Sequence, residues 1–143
     1  MLNNGDTEYR NYIDFESFAR KFIADEIALS HDVNITSMFY YKKQNDGLIY
    51  AGPVWNFDGA FGEGNNGWLE GVWVNYEHSS IYPFRSEEDT LNWYAKLYDD
   101  EVFITRVIDI YRNILPDIEE LLNTKIDSYA DHIRKSAALD KIR

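Results

Sequence analysis

The alternation of apolar and polar positions divides the chain into a helix, a hairpin, a glycine-rich loop and a helical remainder. In the stretch YIDFESFARKFIADEIALS, Phe15, Phe18, Phe22, Ile23 and Ile27 recur at three- and four-residue spacing. That period predicts a helix with one buried face. Asp14 stands where an N-cap belongs, and the turn-rich SHDVN that follows predicts an end near Ser30. Two short runs, SMFYYKK and LIYAGPVW, are rich in aromatic and β-branched residues. QNDG separates them, and Asp46-Gly47 is a strong hairpin signal. The second strand runs into AGPVWNFDGAFGEGNNG, where five glycines imply a loop shaped for close backbone approach.

From Trp68 to Arg85 the sequence is aromatic and irregular and reads as loop, with at most one short strand. Ser86 with Asp89 resembles a capping box opening a helix over SEEDTLNWYAKLYDD. Val102, Phe103, Val107, Ile110, Tyr111 and Ile114 predict a further helix over about 101–115. Pro116 is expected to open the last helix, because proline suits a first turn. That helix would carry Ile118, Leu121, Leu122, Ile126, Tyr129 and Ile133. The expected fold class is therefore α+β, mainly helical, with the hairpin and loop followed by a three-helix tail.

Composition narrows the function. The 143 residues suit a single domain, and 45% hydrophobic with 16% aromatic residues provide a core. A net charge of -11 repels nucleic-acid phosphates and anionic lipid, so neither nucleic acid nor a membrane surface is an expected partner. The chain has no cysteine, which excludes disulfides, zinc–thiolate sites and cysteine nucleophiles. No apolar run reaches the ~18 residues of a membrane span. The opening MLNNGDTEYR lacks the pattern of a signal peptide.

One polar constellation carries chemistry. Asp32 follows the first helix just before the hairpin, and Asn56 and Asp58 stand just past its far strand. Antiparallel strands joined by a tight turn bring their outer ends together. Asp32 is therefore expected near Asn56 and Asp58, an arrangement suited to magnesium-dependent phosphoryl transfer. One carboxylate would orient a hydroxyl nucleophile, and the other would hold the metal that bridges the phosphates. The plainer alternative stays open: all three are residue types that cap and shape turns. The loop lacks the ligand alternation and closing glutamate of an EF-hand. His31, His78 and His132 form no metal-ligand spacing, and Asn34-Ile35-Thr36 is a glycosylation triplet short enough to arise by chance. Trp68, Trp73, Tyr76, Tyr82 and Phe84 would either pack a long loop or form a sugar-stacking platform.

Taken together, YIDFESFARKFIADEI, Asp32, SMFYYKKQNDGLIYAGPVWNFDGAFG and LNWYAKLYDDEVFITRV resemble the spore coat protein H (CotH) kinase family. The resemblance runs in order from about Tyr12 to the C-terminus, with GPVWNFDGAFG as its most specific part. It implies a bacterial atypical kinase that transfers phosphate from ATP to protein serine or threonine, at a cell surface or spore coat. It places the catalytic aspartate at Asp32 and the metal-binding motif at Asn56-Phe57-Asp58, with ATP and Mg2+ as cofactors of the complete domain.

Two departures qualify it. The family usually carries aspartate where this chain has Asn56, a neutral and weaker ligand for a hard cation, and often asparagine where Ser30 stands. Only 31 residues precede Asp32, too few for a lobe that covers ATP with a phosphate-contacting lysine. The expectation is a kinase C-lobe fragment, inactive alone and binding no nucleotide tightly, whose partner is the rest of a parent kinase domain. The competing reading is a non-catalytic surface module, either a pseudokinase remnant or a glycan binder.

Overall fold

A computed structural model describes residues 7–28, 38–57, 60–61 and 93–140. Asp32, Asp58, His31, His78, the Asn34 triplet, the aromatic stretch from Trp68 to Arg85 and the Ser86–Asp89 capping box lie outside the described residues. The elements are a 3-10 turn Glu8–Asn11, α1 (Phe15–Ala28), β1 (Tyr40–Lys42), β2 (Ile49–Ala51), α2 (Trp93–Tyr98), α3 (Glu101–Glu120), a π turn Leu121–Lys125 and α4 (Ile126–Asp140). The fold is α+β and mainly helical, with one two-stranded sheet among the described residues. Contacts divide the chain into two units, Met1–Ile108 and Asp109–Arg143.

In the first unit α1 begins as its sequence predicts. The Asp14 carboxylate accepts the Ser17 backbone N–H at 2.8 Å, the hydrogen bond of an N-cap. The Ser17 hydroxyl donates to the Asp14 carbonyl at 2.9 Å and accepts the Ala51 N–H at 3.1 Å, which ties α1 to β2. Just before α1, Ile13 forms a parallel bridge to Ile49: Asp14 N–H donates to the Ile49 carbonyl, and Ile49 N–H to the Tyr12 carbonyl. β2 is thus paired on both edges.

β1 and β2 are antiparallel, with Tyr40 opposite Ala51, Tyr41 opposite Tyr50 and Lys42 opposite Ile49. The hairpin stands, but its turn differs from a two-residue Asp-Gly turn. The connection runs from Lys43 to Leu48, and the left-handed residue is Asn45, at φ 61°. Asp46 organises this loop by accepting the Leu48 N–H at 2.9 Å and the Tyr50 hydroxyl at 2.5 Å. Lys43 adds a cation–π contact, 3.8 Å above the Tyr50 ring.

The core gathers on the inner face of α1. Phe18, Tyr94, Leu97 and Phe103 are its largest fully buried side chains. The Phe18 ring stacks on Tyr40 and Trp93, and Phe22 meets Phe103 edge-on. Burying a ring as fully as Phe18 or Phe103 contributes about 1.5–3 kcal/mol. Ile27, expected on this face, is exposed, as are Val102 and Tyr111 of α3. The buried stripe of α1 is carried by Phe18, Ala19, Phe22 and Ile23, and Ile27 falls at its margin.

Asp100 joins the start of α3 to the N-terminal segment. Its carboxylate accepts the Val102 N–H at 2.8 Å as a cap, and receives a two-pronged contact from Arg10 at 2.9 and 2.8 Å and the Tyr9 hydroxyl. Burial works to raise the Asp100 pKa, but the hydrogen bonds from Arg10, Tyr9 and Val102 outweigh it and hold it below the usual carboxylate value. Glu16 of α1 binds Arg106 of α3 across the exposed side of the same unit.

The second unit is helical throughout its described residues. Pro116 lies inside α3 and does not open a new helix. Its missing N–H frees the Arg112 carbonyl, and this stretch of helix is largely exposed, so water can satisfy that group. α3 passes directly through the π turn into α4. There Ile126 N–H donates to the Leu121 carbonyl, the i to i−5 bond that defines such a turn. The Thr124 hydroxyl also bonds back to the Glu120 carbonyl at 2.6 Å.

Candidate functional site

The loop after β2 is shaped by unusual backbone angles. Gly52, at φ 128°, adopts a conformation that side chains rarely take. A cis peptide joins it to Pro53, and its N–H donates to the Phe39 carbonyl at 2.9 Å, extending the hairpin by one bond. Val54, Trp55 and Asn56 then run exposed, with Trp55 edge-on to Phe39.

Asn56 is left-handed, at φ 63°. Asparagine and aspartate enter this region more readily than other side-chain-bearing residues, so either can stand here without gross strain. Phe57 turns half inward, and Ala60 is buried with its N–H on the Phe57 carbonyl at 3.1 Å. Phe61 follows, with its N–H donated to the Ala28 carbonyl at 2.6 Å.

That last bond fixes the loop against the C-terminal end of α1 and satisfies a carbonyl that a helix end leaves unpaired. It joins two chain positions next to the expected site residues: Asp32 lies four residues past Ala28, and Asp58 three before Phe61. Of the three residues singled out in the sequence, only Asn56 is described. Among the described residues no group of three or more His, Cys, Asp or Glu is arranged to hold a metal ion. His132, on α4, is exposed.

Sequence reasoning missed a second polar feature of α1. Lys21 Nζ lies 3.0 and 2.7 Å from the two carboxylate oxygens of Asp25, with side-chain exposures of only 3% and 2%. Burial raises the Asp25 pKa despite the opposing pull of Lys21. The pKa of Tyr40 is raised to about 12, chiefly because its hydroxyl is desolvated although the residue as a whole is partly exposed, with Asp25 adding to the shift. The i,i+4 spacing of Lys21 and Asp25 was visible in the sequence. Their burial was not, because such pairs are ordinarily solvated.

The described residues thus bring α1, the hairpin and Phe61 together, with Asn56 as the one described residue of the sequence-predicted site. The family model described as CotH kinase protein matches residues 2–142. The chain belongs to the CotH kinase family. Neither the curated proteins nor the solved structures gave a match.

Proposed function

We propose that the chain is the catalytic-loop part of a CotH-like kinase domain that transfers the γ-phosphoryl group of ATP to serine or threonine of a protein. The observation that carries this reading is the family match over residues 2–142, with the Asn56-Phe57-Asp58 loop anchored through Phe61 to the end of α1. In this reading Asp32 accepts the hydrogen bond of the acceptor hydroxyl and takes its proton as the oxygen attacks phosphorus and the bond to ADP breaks. Asp58 and the amide oxygen of Asn56 are the metal ligands. An amide oxygen and, two positions along the chain, a carboxylate are donor types that suit Mg2+, which accepts neutral oxygen donors together with anionic ones. A divalent cation held there would neutralise charge on the phosphate oxygens.

The described residues ahead of Asp32 form a 3-10 turn and α1. The reading names no nucleotide-contacting residue among those described. Asn56 favours a second reading, a pseudokinase or interaction module, because it replaces a charged ligand with a neutral one. Assay of the complete parent domain for phosphate transfer with Mg2+ or Mn2+ separates the two. Transfer that is lost in Asp32→Asn supports the kinase. No transfer by a folded parent, or full activity in Asp32→Asn, removes it.

A further inference from the structure

The geometry points to α4 and the end of α3 as a self-association surface on which a second copy of this chain docks antiparallel. Every residue from Leu121 to Asp140 is exposed, including Leu121, Leu122, Ile126, Tyr129 and Ile133. Ile118, Leu122, Ile126, Tyr129 and Ile133 follow one another at three- and four-residue steps, with Leu121 beside them, so they form one apolar seam. The i to i−5 bond from Ile126 to Leu121 lies within that seam. A helix derives most of its stability from burying such a face, so a seam this long calls for an occupant.

Charge selects the occupant. The whole chain carries -11, yet Asp109–Arg143 holds seven acidic and six basic residues. This is the part of an acidic molecule that can meet its own copy without strong repulsion. The charges are also unevenly placed: Asp117, Glu119 and Glu120 stand at one end of the seam, Arg134 and Lys135 at the other. An antiparallel pair centred between Ile126 and Tyr129 sets Leu122 opposite the partner's Ile133 and Ile126 opposite the partner's Tyr129. It also brings the acidic end of each helix to the basic end of the other. A parallel pair would stack like on like. Glu120 and Arg134 already make exposed intrachain pairs with Lys125 and Asp131, which are weak enough to be exchanged. The two-fold arrangement makes the interface isologous and closed.

Sedimentation equilibrium of the 143-residue chain tests this. The wild type should dimerise at about 100 µM or below, as a modest interface allows. Glu119→Lys/Glu120→Lys and Arg134→Glu/Lys135→Glu should each weaken self-association at least ~10-fold. Mixed in equal amounts, the two variants should recover a heterodimer of wild-type strength, since the lysines placed at 119 and 120 then face the glutamates placed at 134 and 135, while Arg134 and Lys135 of the first variant face Glu119 and Glu120 of the second. Circular dichroism should show unchanged helix content in both. A wild type that stays monomeric over this range overturns the proposal and leaves the seam to a different protein surface. Dimerisation indifferent to both charge variants, or a mixture without heterodimer, also overturns it.

Discussion

The Phe61 N–H donates to the Ala28 carbonyl at 2.6 Å, so the glycine-rich loop caps the helix that leads toward Asp32. Phe61 adopts φ 53° to make this bond, while its side chain stays largely exposed. Phe61→Gly relieves a left-handed conformation that costs about 1–2 kcal/mol and keeps the N–H, so stability should hold or rise. Phe61→Pro removes the donor and cannot adopt the angle. It should release the loop and lower stability by about 1–3 kcal/mol. Denaturant unfolding of the two variants checks the pair. Equal losses would show that the hydrogen bond does not hold the loop.

The buried Lys21–Asp25 pair gives a sharper contrast. Lys21→Met strands a carboxylate in the core and should cost about 3–5 kcal/mol. Replacing both, as Lys21→Met/Asp25→Leu, should recover most of that loss or exceed the wild type, because the desolvation of both charges is removed. A double variant no more stable than Lys21→Met would mean that the pair is worth more than its burial costs.

Asp100 should set much of the acid sensitivity. Its folded pKa is lowered, so its contribution is complete above the unfolded carboxylate value near 4 and is lost as pH falls through the lower folded value. Glu16 shifts in the same direction: its burial opposes, and Arg106 and Arg20 prevail. Asp100→Asn keeps a capping oxygen but loses the charge that Arg10 grips. Its stability, measured from pH 7 to pH 2, should be lower at neutral pH and fall less steeply in acid. A parallel pH profile would remove Asp100 from the account.

The Asn56 position tests the metal assignment. Because φ 63° tolerates aspartate, Asn56→Asp should fold normally and bind Mn2+ more tightly, on the order of 10-fold, by calorimetry on the parent domain. Asp58→Ala should abolish both binding and transfer. Unchanged Mn2+ affinity in both variants would place the metal elsewhere.

The start of α1 was legible because Asp14 and the Phe15–Phe18–Phe22 period are local signals that agree. The hairpin was legible for the same reason, although Asp46 builds its turn through side-chain bonds, and the left-handed angle falls one residue before it, at Asn45. Pro116 was misread because a local rule against interior proline yields where water can reach the freed carbonyl. The Asp100 clamp joins residues 90 and 91 positions apart, a distance no sequence period spans. In the candidate site the motif residues were legible as a pattern. The anchoring bond was not, since it involves backbone groups that carry no sequence signature.

The Ile13 bridge has a consequence for solubility. An open strand edge is a template on which other chains can add, and β2, the better buried strand of the ribbon, presents none. Among the described residues the edge left over belongs to β1, whose three residues are all exposed and which ends in Lys42, followed by Lys43. A three-residue strand closed by one lysine and followed at once by another is a poor template for aggregation.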